Sequence, residues 1–331
     1  MRVAAIDIGT NSTRLLVADV SATGTVRELV RQSRVTRLGE GVDASGKLAP
    51  QAIARTVAVL ADYSALIERH GVLAKRAVLT SAVRDARNGH EFAAQVRSRF
   101  GLDTRTLSGD EEARLTFLGA MSARARAPED ARAPAAPAQP SAERPEVAVI
   151  DIGGGSTEIV IGSESLPTFH TSLQLGVVRM SERHIGHDPP LAAELDALRQ
   201  DVRTVLREGL PAAELAAVRA AIAVAGTATS AAAIDQELDP YDPARVEGYH
   251  IARRRIEAIG ARLAAMEEGA RRQVPGLHPD RAPTIIAGML ILAECVDAFG
   301  LDEVEVSEHD ILYGAALTLA TQPPEVERLG S

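Results

Sequence analysis

Short apolar runs that stop at an Asp and pass through glycine recur along this chain. The run from Val3 to Ile8 contains Asp7, turns at Gly9 and resumes at Leu15 to Val20, and the same order returns in Val147 to Ile152 followed by Ile159 to Gly162. Two β-branched runs joined by a glycine turn predict a β-hairpin in each place. Elsewhere the period lengthens. Pro50 suits a helix start, Ile53, Val57, Leu60, Ser64 and Ile67 recur at four and three, and Gly71 suits the stop. Arg76 to Thr80 reads as a strand, Ala82 to Phe100 as a helix, and Thr104 to Leu107 as a strand leading into another helix. Further strand–turn–helix units are expected at Ile222–Ala225 before GTATS and at Val304–Val306 before SEHDILYGAAL. Strands alternating with helices imply an α/β protein with open, partly parallel sheets, whose ligands sit at the carboxyl ends of the strands.

The two hairpins are copies. Residues 3–14, VAAIDIGTNSTR, align without a gap on 147–158, VAVIDIGGGSTE, with eight of twelve positions identical. A spacing of 144 residues is too long for a solenoid repeat and reads as a duplicated domain. The length of 331 residues suits two domains. Five of the 17 prolines lie between Ser122 and Pro145, in a Pro/Ala tract without a large apolar residue, which reads as a flexible surface insertion. The expected division is therefore 1–121, an insertion at 122–145, and 146–331, with the last helix able to pack back on the first domain.

Composition narrows this picture. Apolar residues make up 46% of the chain but aromatics only 3%, with no Trp, so Ala, Val, Leu and Ile must fill the interior. Thirty-six Lys and Arg against 45 Asp and Glu leave a net charge of −9, which argues against a nucleic-acid partner and requires any anionic substrate to find a local basic pocket. The single Cys295 excludes a disulfide framework and a four-Cys zinc site, fits a reducing cytoplasm, and lies in the apolar pattern of a buried helix. Asp7 breaks the N-terminal apolar run, so no signal-peptide core is expected. The longest uncharged apolar stretch, Ala220 to Ile234, is 15 residues and carries Gly226, Thr227, Thr229 and Ser230, too short and polar to cross a bilayer.

Four segments carry candidate chemistry. The Asp-Ile-Gly loops come first: backbone amides in a glycine-rich turn converge on phosphate oxygens, and Asp7 and Asp151 at the strand ends suit Mg²⁺, which takes few carboxylates and keeps part of its water. Gly153-Gly154-Gly155 is the stronger loop; the alternative is a pair of tight hairpins capped by Asp. In Ser108-Gly109-Asp110-Glu111-Glu112, Ser108 and Glu111 fit a capping box, which leaves Glu112 about 100° round the helix to orient and deprotonate a water. The alternative there is a solvated acidic first turn, favoured by the helix dipole. Thr80 to Asn88 joins hydroxyls, helix amides and Arg84, and Gly226-Thr227-Ala228-Thr229-Ser230 repeats the strand–glycine–hydroxyl–helix logic; each suits an anion, and each is also ordinary capping. His184 and His187, beside Gly186 and two prolines, read as a surface loop, His309 reads as a turn or cap, and no segment has the Lys of a P-loop.

DIGTNSTRLLV at 7–17, TSAVRDARN at 80–88, SGDEEARL at 108–115, DIGGGSTEIVIG at 151–162, GTATS at 226–230 and SEHDILYGA at 307–315 resemble, in this order, the exopolyphosphatase and guanosine pentaphosphate phosphohydrolase family. The resemblance covers nearly the whole chain. It implies the fold of the actin, sugar-kinase and heat-shock-protein superfamily, two duplicated ribonuclease H-like α/β domains around a central cleft. It further implies that Glu112 is the catalytic glutamate, Asp151 the metal-linked carboxylate and Glu158 a second acidic residue that positions water or metal. Gly153, Gly154, Gly155 and Ser156, with Thr10, Asn11 and Ser12, match phosphate-binding loops, and Arg84 matches a contact to the phosphate chain. Gly226 and Thr227 are expected to join them. The implied activity is hydrolysis of the terminal phosphate of inorganic polyphosphate with Mg²⁺ or Mn²⁺; the alternatives are a guanosine pentaphosphate phosphohydrolase, a kinase of the same superfamily, and a non-catalytic sensor of polyphosphate or guanosine tetraphosphate. A homodimer is implied by analogy alone. The chain stops without the helical C-terminal domains of longer relatives, which puts processivity on long polymers in doubt.

Overall fold

The computed structural model describes residues 1–124, 146–163 and 166–321. Of the tract expected as an insertion, 125–145 lies outside the described residues, and 122–124 close a helix. Contacts divide the chain into two units, Met1–Ser108 with the segment from Ile311, and Gly109–Asp310.

The first unit runs β1 (Arg2–Ile8), β2 (Ser12–Val20), β3 (Val26–Val35), α1 (Val42–Ser45), α2 (Pro50–Arg69), β4 (Ala74–Leu79), α3 (Ser81–Asp85), α4 (Gly89–Phe100) and β5 (Asp103–Thr106). Its strands order as β3-β2-β1-β4-β5, antiparallel across β3, β2 and β1 and parallel from β1 to β5. Ala4, Ile6, Ile8, Leu15 and Val17 bury one face of the sheet in a core with Val57, Leu60, Tyr63 and Ile67 of α2, at the apolar spacing seen in the sequence. The expected single helix over 82–100 is two helices. Asn88 turns its amide onto the backbone of Leu48, accepting from its N–H at 2.8 Å and donating to its carbonyl at 3.0 Å, and Ala86 is extended, so the chain breaks between α3 and α4.

The second unit contains α5 (Gly109–Arg124), β6 (Glu146–Ile152), β7 (Thr157–Ser163), β8 (Leu166–Leu173), α6 (Val177–His184), α7 (Ala192–Gly209), α8 (Ala212–Ala217), β9 (Val218–Val224) and α9 (Ala225–Asp235). It continues through α10 (Pro243–Val246), β10 (Tyr249–Ala252), α11 (Arg253–Ala264), α12 (Glu268–Arg271), α13 (Ile285–Ala298) and β11 (Glu303–Val306). The sheet order is β10-β11-β9-β6-β7-β8. Strands β8, β7 and β6 are antiparallel, and β6, β9 and β11 are parallel. From β8 to β11 this repeats the first sheet strand for strand, so the duplication read from the two loops extends through both sheets. It is the ribonuclease H-like arrangement, found twice, that an actin-like protein requires.

Each strand of the second sheet sends alternate residues to opposite faces. Ala148, Ile150, Ile152, Ile159 and Ile161 enter the larger core, where Cys295 is also buried and its thiol is pushed up to about 12 by desolvation. Val147, Val149 and Val160 face the other way and pack with Ala113, Phe117 and Ala120 of α5. This packing corrects the expected boundary at 121: α5 belongs to the sheet that follows it. The last helix, α14 (Ile311–Thr321), belongs to the first unit, where it packs on β1, β2 and β4 and Tyr313 donates to Glu28 at 2.9 Å. No helix among the described residues is long and apolar enough to cross a membrane.

Tyr63 is fully buried and its hydroxyl donates to the carbonyl of Thr13 at 2.9 Å, tying α2 to the loop end of β2. Tyr63→Phe leaves that buried acceptor short of a donor and is expected to lower stability by about 1–2 kcal/mol, read from urea unfolding midpoints at constant slope.

Candidate active site

In the second unit three polar residues form a row across three strands. Asp151 on β6 stands opposite Glu158 on β7, and Glu158 stands opposite Ser172 on β8. By strand alternation Asp151 shares its face with Val147 and Val149, and Glu158 shares its face with Val160, so both carboxylates lie on the α5 side of the sheet. They are 6% and 1% exposed, buried enough that the like charges face each other with little water between to screen them. Ser172 donates to Glu158 Oε1 at 2.8 Å, and Thr116 of α5 donates to Asp151 Oδ2 at 3.3 Å.

Helix α5 sets Glu112 over this row. Gly109, Glu112 and Thr116 fall at i, i+3 and i+7, one stripe of the helix. One end of the stripe is fixed by Gly109, whose hypothetical Cβ would lie 2.8 Å from Ser172 Cβ, and the other by Thr116 on Asp151. Glu112 therefore sits between the two contacts, above Glu158. It is 7% exposed whereas Glu111 is exposed, so the solvated acidic turn holds for Glu111 and not for Glu112. The helix begins at Gly109, which places Ser108 at the N-cap position.

The glycine loop at the end of β6 is pinned from behind. Gly153 N–H donates to Ser156 O at 2.9 Å, while the carbonyls of Gly153 and Gly154 accept from Val177 and Val178 N–H, both at 2.9 Å, and that of Gly155 accepts from Arg179 Nε at 2.8 Å. In a planar trans peptide the following N–H points opposite to the carbonyl, so the amides of Gly154, Gly155 and Ser156 point away from α6. That orientation is the one an anion-binding nest needs. A Cβ on Gly176 would come 2.2 Å from Gly154 O, so only glycine lets α6 approach this closely. Nearby in the sequence order of the sheet, β9 turns into α9 through Ala225 at φ 62°, a left-handed conformation rare for a residue with a side chain. Gly226 follows with the Arg281 guanidinium packed against it, Ser230 donates to its carbonyl at 2.7 Å, and Thr227 is buried.

The first unit repeats the loop with different chemistry. Gly9 N–H donates to Ser12 O at 3.0 Å as its counterpart does, and the carbonyls of Thr10 and Asn11 accept from Gly39, Thr36 and Arg37 N–H, which turns the Asn11 and Ser12 amides the other way. The Thr10 hydroxyl bonds Ser81 at 2.9 Å, joining this loop to the Thr80–Asn88 segment, and Arg84 donates to the Leu107 carbonyl at 3.1 Å. Opposite Asp7, where the second unit has Glu158, stands Arg14. Its Nε and Nη2 both donate to Asp7 Oδ2, at 2.9 and 2.7 Å. Arg14 thus offsets the charge of Asp7 through one carboxylate oxygen, where Asp151 has Glu158 opposite it instead.

Asp151 and Glu158 fit Mg²⁺ or Mn²⁺. Both offer hard oxygen donors, and their mutual repulsion is relieved by a cation. Among the described residues no group of three or more His, Cys, Asp or Glu could hold a metal, so a cation here would rest on two carboxylates, water and substrate oxygens, the habit of Mg²⁺ in phosphoryl-transfer sites. His184 pairs with Asp201 and His187 with Glu194, each at 2.8 Å, and the latter contact is the largest cause holding Glu194 down to about 2. They share no ligand.

Residues 16–318 match the profile of the Ppx/GppA phosphatase family. The chain belongs to that family. It is 38% identical over 331 residues to exopolyphosphatase 2 of Mycobacterium tuberculosis strain H37Rv, covering 96% of this chain and 98% of that protein. Among solved structures it is similar to the Ppx/GppA family member of Aquifex aeolicus, with TM-score 0.77, 29% identity and coverage of 97% and 98%, and to an exopolyphosphatase-like protein, with TM-score 0.86, 32% identity and coverage of 96% of each chain. Family membership makes this phosphatase a hydrolase of phosphoanhydride bonds. Thr116, Ser172, Arg14 and Arg281 stand in or beside these loops without having been legible as site residues. Only the Arg14/Glu158 mismatch at the end of the repeat offered a signal.

Glu158→Gln removes one of two opposed buried charges. The variant is expected to melt a few degrees higher than the parent in EDTA, and to gain less thermal stability than the parent when Mg²⁺ is added, both read by differential scanning fluorimetry.

Proposed function

We propose that this Ppx/GppA phosphatase is an exopolyphosphatase that hydrolyses the terminal phosphoanhydride of inorganic polyphosphate and releases orthophosphate, with Glu112 as general base. The observation that carries this reading is the position of Glu112, buried and bracketed by Gly109 on Ser172 and Thr116 on Asp151, above the Glu158 carboxylate. A nucleophilic water held there meets two carboxylate oxygens. The exopolyphosphatase name of the relative at 38% identity supports polyphosphate as the substrate.

The Gly154, Gly155 and Ser156 amides bind oxygens of the terminal phosphate and hold the phosphorus for in-line attack. Glu158 accepts a hydrogen bond from the water and orients it. Glu112 takes its proton as the oxygen approaches phosphorus, and the shortened chain leaves with the bridging oxygen. Mg²⁺ or Mn²⁺ held by Asp151 and Glu158 supplies charge neutralisation on the phosphate oxygens when bound. Thr10, Asn11 and Ser12, with Arg84, Gly226 and Thr227, are donors of the kind a polyphosphate accepts. Amides and hydroxyls supply this without a basic surface, which agrees with a net charge of −9.

Glu112→Gln keeps the shape of the side chain and removes the base. Phosphate release from polyphosphate is expected to fall about 100-fold or more in kcat with KM little changed. A folded variant that releases phosphate at a near-normal rate rules the assignment out. The same preparation given long polyphosphate, short polyphosphate, guanosine pentaphosphate and ATP is expected to favour polyphosphate, and higher kcat/KM on guanosine pentaphosphate would move the substrate assignment to the nucleotide.

A further inference from the structure

Ser172 meets two of the three carboxylate-bearing elements of the site, β7 with Glu158 and α5 with Glu112. Its hydroxyl donates to Glu158 Oε1 at 2.8 Å, and its Cβ lies where any side chain on Gly109 would collide, 2.8 Å from the position of a Cβ there. Contacts that short between Cβ atoms do not occur, so α5 rests on β8 at a distance that only a glycine allows. Gly109 is three residues before Glu112 on the same stripe of α5. The neighbouring contact of the same turn, His170 Nε2 to Asp110 Oδ1 at 3.1 Å, has its carboxylate 74% exposed. A contact so open to water cannot hold the helix by itself. The close seat of Gly109 on Ser172 is the rigid part of the clamp.

We infer that Ser172 is a positioning residue, which fixes the Glu112 carboxylate relative to the Glu158 carboxylate so that one water meets both. This rests on the reading of Glu112 as general base. The hydroxyl holds one oxygen of Glu158 in place, and the small side chain lets the first turn of α5 settle against the strand. A shift of about 1 Å in such a pair is enough to lower turnover about 100-fold. The hydroxyl acts through Glu158, so its effect belongs in kcat.

The test uses the full chain with polyphosphate. Ser172→Ala removes the hydroxyl and keeps the Cβ, and Gly109→Ala keeps the hydroxyl and pushes the helix off the strand. Each is expected to lower kcat about tenfold or more, with KM within about twofold. Ser172→Ala is expected to melt a few degrees below the parent, since a buried carboxylate loses a donor, and to remain folded at the assay temperature. In single-turnover reactions with enzyme in excess, adding Ser172→Ala to Glu158→Ala is expected to cost less than about twofold, because the hydroxyl acts through that carboxylate. An unchanged kcat in Ser172→Ala, a loss confined to KM, or an equal loss with and without Glu158 would each overturn the inference. An active Glu112→Gln enzyme sinks the general-base reading on which it rests, whereas an inactive Glu112→Gln beside an unimpaired Ser172→Ala sinks the positioning role alone.

Discussion

Two carboxylates buried opposite each other on adjacent strands are a standing electrostatic cost, and the second unit is arranged around it. Hydrogen bonds from Thr116 to Asp151 and from Ser172 to Glu158 offset part of that cost. Those two donors lie on different elements, α5 and β8. The need to satisfy the pair therefore draws the helix and the outer strand to the same row, and this places Glu112 above it. A site built to tolerate concentrated negative charge can receive a polyanion only with cations and oriented amides, and the Gly154–Ser156 turn supplies the second.

The duplicated hairpins show what one residue changes. Both turns close with the same glycine N–H to serine carbonyl bond, 3.0 Å in the first and 2.9 Å in the second, and both turn their carbonyls into a supporting segment. At the position after the Thr that both copies share, the first has Arg14 and the second Glu158. The first hairpin thereby pairs its Asp7 with an arginine, and the second sets two carboxylates opposite each other. Equivalent backbones thus serve unequal chemistry, one copy presenting donors and the other able to hold a cation.

Close backbone approach is the second device of the site. Gly176 lets α6 reach the loop carbonyls and so orient the loop amides, while Gly109 lets α5 reach Ser172. Either approach would be lost to a single methyl group, since protein interiors at native packing density have no slack of that size.

The sequence by itself determined the duplication, the α/β class and the glycine loops, because these depend on local periodicity and on turn chemistry; Glu112 was marked by the family resemblance. It also marked Asp151 and Glu158, through a resemblance carried by motifs in order. Only tertiary structure decided that α5 packs on the sheet that follows it, since its small apolar stripe of Ala113, Phe117 and Ala120 is legible as a buried face but does not say against which sheet. It likewise decided that Asp7 is paired with Arg14, that the helix expected over 82–100 breaks at Asn88, and that Ser172 seats the helix carrying Glu112. Pairings across strands and contacts between distant segments have no local signature in the chain; they arise from register and packing, which exist only once the sheets have formed.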